Sequence, residues 1–228
     1  LVWIRGSMEE WFDIKVRGIL GPEATDGKEV TTLGRKVVWD EKGIHYEADE
    51  KHRQKIVDHF GFNEKTRSLG FNGEKDERVE EGDEEELEKE DATVFRGLAA
   101  RMNYSSLDCS DLQFPIKDCS REMARPVWGS CKRMKKIARY LYGREKVVWD
   151  FVWQDEPRFA QIFSDSDWGG NRRDRKSTSG GVWMLGGHCI KTWSASQGAF
   201  ALSSAEAELY AMVDAVTRAK GLLSLARE

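Results

Sequence analysis

Phe163-Ser164-Asp165-Ser166-Asp167-Trp168, then Arg175-Lys176-Ser177-Thr178-Ser179-Gly180-Gly181, then Ala201-Leu202-Ser203-Ser204-Ala205-Glu206-Ala207-Glu208-Leu209-Tyr210 are the most informative stretches of this chain. Phe159 to Ser164 is apolar enough for a central strand. Gly169 to Lys176 is a loop carrying Arg172, Arg173, Arg175 and Lys176. Ser177 to Leu185 and His188 to Ser194 predict two more strands, turned by Gly186-Gly187 as a hairpin. Ser203 opens a helix toward Leu225, with Glu206 three residues on in capping-box position. The order is strand, strand, strand, helix.

That order sets acids at two special places. Asp165 and Asp167 end the first strand, and Glu206 and Glu208 lie in the first turns of the helix. A phosphodiester-cleaving site needs carboxylates converging from such places, because hard cations take oxygen ligands and two ions position the attacking water and the leaving oxygen. Acids also favour helix starts for dipole reasons alone, so spacing leaves both readings open. A helical wheel places Ala205, Leu209, Met212, Val213 and Val216 on the buried face, with Glu206 and Glu208 flanking it.

Outward from this region the chain turns helical. Ala92 to Tyr104, Leu112 to Met123 and Pro126 to Tyr142 are helix candidates, the last with Pro in its first turn and Gly143 past its end. Cys131, Met134, Ala138 and Leu141 form its buried stripe. Lys132, Lys135, Lys136 and Arg139 form a separate basic stripe beside Trp128, either a solvated face or a phosphate-tracking one. Further upstream, Thr31 to Trp39 predicts a strand, Asp40 to Gly43 a turn and Ile44 to Tyr46 the return strand. Asp49 is placed to cap a helix through Phe60, ended by Gly61. His45, His52 and His59 recur every seven residues, which is not the spacing of a two-His metal site.

The net charge of −4 conceals an uneven distribution. Glu74 to Asp91 holds twelve acids and three bases, a net of −9, which leaves +5 for the rest. This run is read as a disordered linker; the alternative is an acidic arm that mimics nucleic acid and competes for a basic groove. The four cysteines, Cys109, Cys119, Cys131 and Cys189, form no Cys-x-x-Cys pair and are expected as buried, reduced thiols. No apolar run approaches the roughly 20 residues of a membrane span, so no membrane association is expected. The chain begins with Leu1 and carries no targeting signal. An intracellular, cytoplasmic or nuclear, processed or partial protein is expected.

The long ordered set, Ser164 to Trp168, Arg175 to Gly181, Trp193-Ser194, Gln197 and Ala201 to Tyr210, resembles the ribonuclease H signature of copia-type retrotransposons. Arg96-Gly97-Leu98-Ala99, Tyr104, Lys132-Arg133 and Arg139-Tyr140-Leu141 resemble the helical region that precedes it in the same Pol polyprotein. Leu33-Gly34-Arg35 with its hairpin resembles reverse transcriptase beyond the catalytic palm. The resemblance implies an α/β fold, with a partial ribonuclease H-like mixed sheet and one packed helix. A reverse-transcriptase hairpin and a helical connection region precede it. The implied boundaries are 1–73, the acidic linker 74–91, the helical region 92–157 and the ribonuclease H-like part 158–228. Asp165 and Glu208 become catalytic carboxylates and metal ligands, Glu206 becomes the cap, and Asp167 keeps no derived role.

Magnesium is the implied cofactor, as a two-ion site in the complete domain. The implied partners are an RNA–DNA hybrid and the remainder of the polyprotein. Ser203 and Ser204 are expected at the minor groove and its 2′-hydroxyls. Arg172, Arg173, Arg175 and Lys176, with Lys132, Lys136 and Arg139, are expected on phosphates. No Tyr-x-Asp-Asp polymerase motif occurs in the first 30 residues, and the family's third carboxylate is expected beyond Glu228. The chain alone is therefore expected not to cleave hybrids at an enzymatic rate. A non-catalytic nucleic-acid-binding remnant and a decayed gene product without function are the rival readings.

Overall fold

The computed structural model of the chain describes residues 2–70, 82–144, 146–171 and 173–227. After a short helix α1 (Val2–Glu9), the chain enters strands β1 (Glu29–Thr32), β2 (Arg35–Trp39) and β3 (Gly43–Glu47). The single strand expected over Thr31 to Trp39 is corrected: it is the end of one strand and all of the next. Leu33 at φ 50° and Gly34 at φ 79° make a two-residue turn between them, the positive-φ geometry that fits the twist of paired strands. Thr32 thereby pairs with Arg35.

Helix α2 (Glu50–His59) is capped by the Asp49 carboxylate, which accepts from the Lys51 N–H, and Gly61 at φ 59° turns the chain away. After the residues outside the description come α3 (Lys89–Ser105), a 3-10 turn at Ser110–Leu112, α4 (Gln113–Arg121) and α5 (Trp128–Tyr142). Pro126 stands before the cap of α5 rather than in its first turn, since Val127 is the residue with extended backbone. Strand β4 (Val148–Val152) then returns to pair antiparallel with β3, giving the order β1-β2-β3-β4. One core serves this whole half. Ile56 and Val57 from α2 are buried with Phe95, Met102, Ile116, Met134, Ile137 and Leu141 from the three later helices. The segments on either side of the acidic run are thus one packed unit.

Sheet and helices are tied by a buried ion pair. Asp108 takes the Arg35 guanidinium at 3.0 Å and the Tyr46 hydroxyl at 2.8 Å, and its carbonyl takes the Trp149 indole N–H at 2.8 Å. His45 is held between the carboxylates of Asp40 and Asp150.

The second half contains β5 (Ala160–Asp167), β6 (Thr178–Leu185), β7 (His188–Ser196) and α6 (Ser204–Arg227). Gly186 at φ 60° makes the β6–β7 turn. The expected mixed sheet is corrected: the three described strands are antiparallel in the order β5-β6-β7, because each is joined to the next by a short connection. One helix packs on it, as expected, but through a different face. Ala207, Ala211 and Ala215 are buried, whereas Leu209, Met212, Val213 and Val216 are exposed. Trp183 and Trp193 stand up from the sheet beneath α6, where Ala215, Ala219 and Leu222 pack against them. A Cβ on Gly181 would run into the Trp193 ring, so that glycine is what admits the indole. Among the described residues no helix is long and apolar enough to cross a membrane.

Candidate functional site

Register decides where the strand acids face. Ile162 pairs with Trp183 and Ser166 with Ser179, and these side chains lie toward α6. Asp165 pairs with Gly180 and Asp167 with Thr178, so both acids lie toward the opposite face, the one approached by α4. There they line a cleft of roughly 630 Å³, together with Thr178, Phe114, Trp149 and Cys189.

The two acids have different surroundings. Asp167 accepts from the backbone N–H of Thr178, and a Cβ on Gly170 would collide with its carboxylate. It is the brace of the loop between β5 and β6, a role that composition and spacing did not suggest. Asp165 is exposed on the strand.

The helix glutamates also divide. Ser203 Oγ accepts from the Glu206 N–H at 3.2 Å, while the Glu206 carboxylate accepts from Leu202 N–H at 2.7 Å and the Tyr210 hydroxyl at 2.5 Å. Those bonds hold the Glu206 carboxyl below its ordinary range, the tyrosine contributing first. Glu206 closes the helix start. Glu208 reaches instead to the strand, where its Oε1 accepts from the backbone N–H of Ser166 at 3.3 Å. The helix acid therefore meets the amide next to Asp165, on a strand whose only described partner is β6. Beside them Ser166 Oγ is buried with no partner.

Gln197 fixes this approach. Its side-chain amide donates to Ser179 Oγ at 3.0 Å and to the Ala207 carbonyl at 2.8 Å, and it is buried between β7 and α6. The signal for it lay in the motif around Trp193, but not its positioning role. Among the described residues, no group of three or more His, Cys, Asp or Glu is placed to hold a metal ion. Asp214 forms an ion pair with Arg218 at 2.9 Å on the same helix. The donors at the β5–α6 junction are carboxylate and hydroxyl oxygens, the chemistry of a hard cation.

The expected phosphate contacts fall in two groups. Arg172 lies outside the described residues. Arg173 pairs with Glu122 and with Glu84, the latter at 3.7 Å. Arg175 sits at φ 54° in the loop, and Lys176 lies over the Phe200 ring at 5.8 Å. Ser204 is exposed on the first turn of α6. On α5, Lys132 pairs with Asp83 at 2.8 Å, Arg139 donates to the Arg67 carbonyl at 2.9 Å, and Lys136 is also engaged. The α5 stripe is thus a face with partners inside the molecule.

The acidic run is more ordered than its composition suggests. Residues 74–81 lie outside the description. From Gly82 onward the linker expectation is corrected: Leu87 is buried and α3 begins at Lys89, because an apolar anchor and a helix start outweigh the self-repulsion of the acids.

No family model matches the chain, and no solved structure matches it. It is similar to the Retrovirus-related Pol polyproteins from transposons RE1 and RE2 of Arabidopsis thaliana. Each is 28 % identical over 138 residues, covering 60 % of this chain and 9 % of the polyprotein. It is also similar to secreted RxLR effector protein 161 of Plasmopara viticola, 34 % identical over 109 residues, which are 48 % of this chain and 76 % of that one. The chain therefore spans less than a tenth of the length of the two transposon polyproteins.

Proposed function

The chain belongs to the copia-type retrotransposon Pol polyproteins, and we propose that its β5–α6 junction is the carboxylate site of a ribonuclease H-type activity on RNA–DNA hybrids. One observation carries this: Glu208 leaves its helix to reach the Ser166 amide, one residue from Asp165. Nothing in helix capping requires that bond, because Glu206 already serves the cap.

The residues fit a hard cation in their chemistry. Asp165, on the α4 face of β5, and Glu208, reaching the same strand from α6, would hold it across the strand, and Ser166 Oγ offers a buried hydroxyl without a partner on the α6 side. A bound divalent ion supplies an activated water and charge stabilisation at the scissile phosphate. The chain's own contribution is placement: Gln197 holds α6 to the sheet, Asp167 braces the loop that carries Arg175 and Lys176, and Ser204 is exposed on the first turn of α6. A two-ion magnesium site is the proposal wherever further carboxylates join Asp165 and Glu208. Two carboxylates hold Mg²⁺ poorly, since it prefers octahedral oxygen geometry and gives up water reluctantly. Hybrid binding with cleavage near background is therefore expected of this chain.

The test is Mn²⁺ binding followed by its electron-spin signal, with cleavage of a labelled hybrid measured in parallel. Asp165→Asn and Glu208→Gln should each weaken Mn²⁺ binding by roughly tenfold or more, one lost ligand of a weak site. An affinity untouched by both changes would remove the site.

A further inference from the structure

The molecule contains one intramolecular arrangement that the ribonuclease reading leaves unused. Lys132 on α5 and Arg173 on the β5–β6 loop are far apart in sequence. Both are paired with the same short acidic segment, Lys132 with Asp83 at 2.8 Å and Arg173 with Glu84 at 3.7 Å. Arg125, just before α5, pairs with Glu86. Arg173 also reaches Glu122, so this cation is shared between the segment and the end of α4.

The segment is seated through its backbone. The N–H groups of Trp128 and Gly129, which open α5 and have no partner inside the helix, donate to the carbonyls of Glu85 and Asp83 at 3.1 and 3.0 Å. Leu87 N–H donates to the Pro126 carbonyl at 3.0 Å and its side chain is buried. Anchored this way, the carboxylates of Asp83, Glu84 and Glu86 are presented to the cations.

We infer that Lys132, Arg125 and Arg173 form a docking surface for a phosphodiester backbone, and that residues 83–86 close it by standing in for phosphates. The inference rests on the nucleic-acid reading above and adds its regulation. Glu84 and Glu86 are largely exposed, and pairs of this kind are individually weak. A polyanion that engages all three cations displaces them together. The backbone anchors need not move, because only the carboxylates change places with phosphates.

The test uses the full chain, fluorescence anisotropy, a labelled RNA–DNA hybrid and a DNA duplex of the same sequence, each over a KCl series. Glu84→Gln with Glu86→Gln unmasks the surface, and Glu41→Gln with Glu156→Gln is the charge-matched control. The unmasked variant should bind roughly tenfold more tightly at low salt than wild type or control. Its slope of log affinity against log salt should steepen by about 0.9 for each freed cation. Adding Arg125→Ala and Arg173→Ala, the two cations whose partners the variant removes, should abolish the gain. Equal gains in variant and control would mean that net charge alone acts, and would overturn the inference while leaving the hybrid reading in place. Equal gains on hybrid and duplex would keep the closed surface and overturn hybrid selectivity. Absence of binding by every variant would overturn both. Glu84→Gln alone, at a position 78 % exposed, tests the same point with the fold undisturbed.

Discussion

The helical core around Phe95 and Met102 and the tryptophan layer beneath α6 solve one packing problem with very different means. The first brings together seventeen buried residues from α2, α3, α4, α5 and their connections, and closes with Asp108 satisfied on three sides. The second has five buried apolar residues, Trp183, Trp193, Ala207, Ala211 and Ala215, and relies on ring area over a face of alanines. Its helix leaves Leu209, Met212, Val213 and Val216 in water, and its edge strand leaves Phe163 there. Apolar burial scales with area removed from water, so stability should reside in the helical half. The candidate site, which must admit a ligand, lies on the thinner half.

The most direct way to break this comparison is to truncate one side chain in each half. Phe95→Ala removes a ring that is 2 % exposed and should cost roughly 3–5 kcal/mol. Phe163→Ala removes one that is 56 % exposed and should cost about 0.5 kcal/mol or less. Urea unfolding followed by circular dichroism measures both. Similar costs would show that Phe163 is covered in solution and that the second half is not thin.

A slightly smaller effect sharpens the account of the first half. Asp108→Ala leaves the Arg35 guanidinium, whose side chain is 11 % exposed, without its carboxylate. Breaking one side of a buried pair costs roughly 3–5 kcal/mol, here toward the lower end because the Tyr104 hydroxyl still accepts from Arg35 at 2.6 Å. The same unfolding series gives the value. A change within error would place this pair at the surface and the sheet loose on the helices.

Much of both halves can be read from residues. Asp49 and Gly61 bound α2, and Gly186-Gly187 mark the β6–β7 turn, because each acts through its own backbone. Two features resist for physical reasons. Leu33-Gly34 makes a hairpin turn with a leucine at positive φ, which sequence preference for asparagine or glycine there hides. Helix α6 offers two apolar faces, and the larger side chains draw the expectation. The choice is made by the sheet, where Trp183 and Trp193 already fill the layer beneath the helix and the small face of Ala207, Ala211 and Ala215 is the one buried. At the site, Glu206 is legible as a cap from its capping-box position, whereas the reach of Glu208 to the Ser166 amide is set by how α6 packs on β5. The brace formed by Asp167 is not legible either, since its partner is a backbone N–H eleven residues away.

The finest test concerns the seam where the halves meet. Lys117 on α4 points at the second sheet and donates to Thr178 Oγ1. Burial and the nearby Arg121 pull its pKa down to about 8, against the opposing pull of Asp167 and Asp118. Its folded pKa is thus below the unfolded value of 10.5, so the folded state holds fewer protons between the two. The stabilisation is present above the unfolded pKa and is lost as pH falls through about 8. Raw stability will not display this cleanly, because the Cys109 and Cys119 thiols, pushed up to about 12 mainly by burial, act in the opposite sense at high pH. The difference between wild type and Lys117→Met cancels those thiols. Methionine keeps the length of the side chain without the charge, so the variant should be favoured at pH 7 and the gap should narrow by pH 10. A gap independent of pH would mean that Lys117 is in water, that α4 is not seated on β6, and that the cleft beside Asp165 has no such wall.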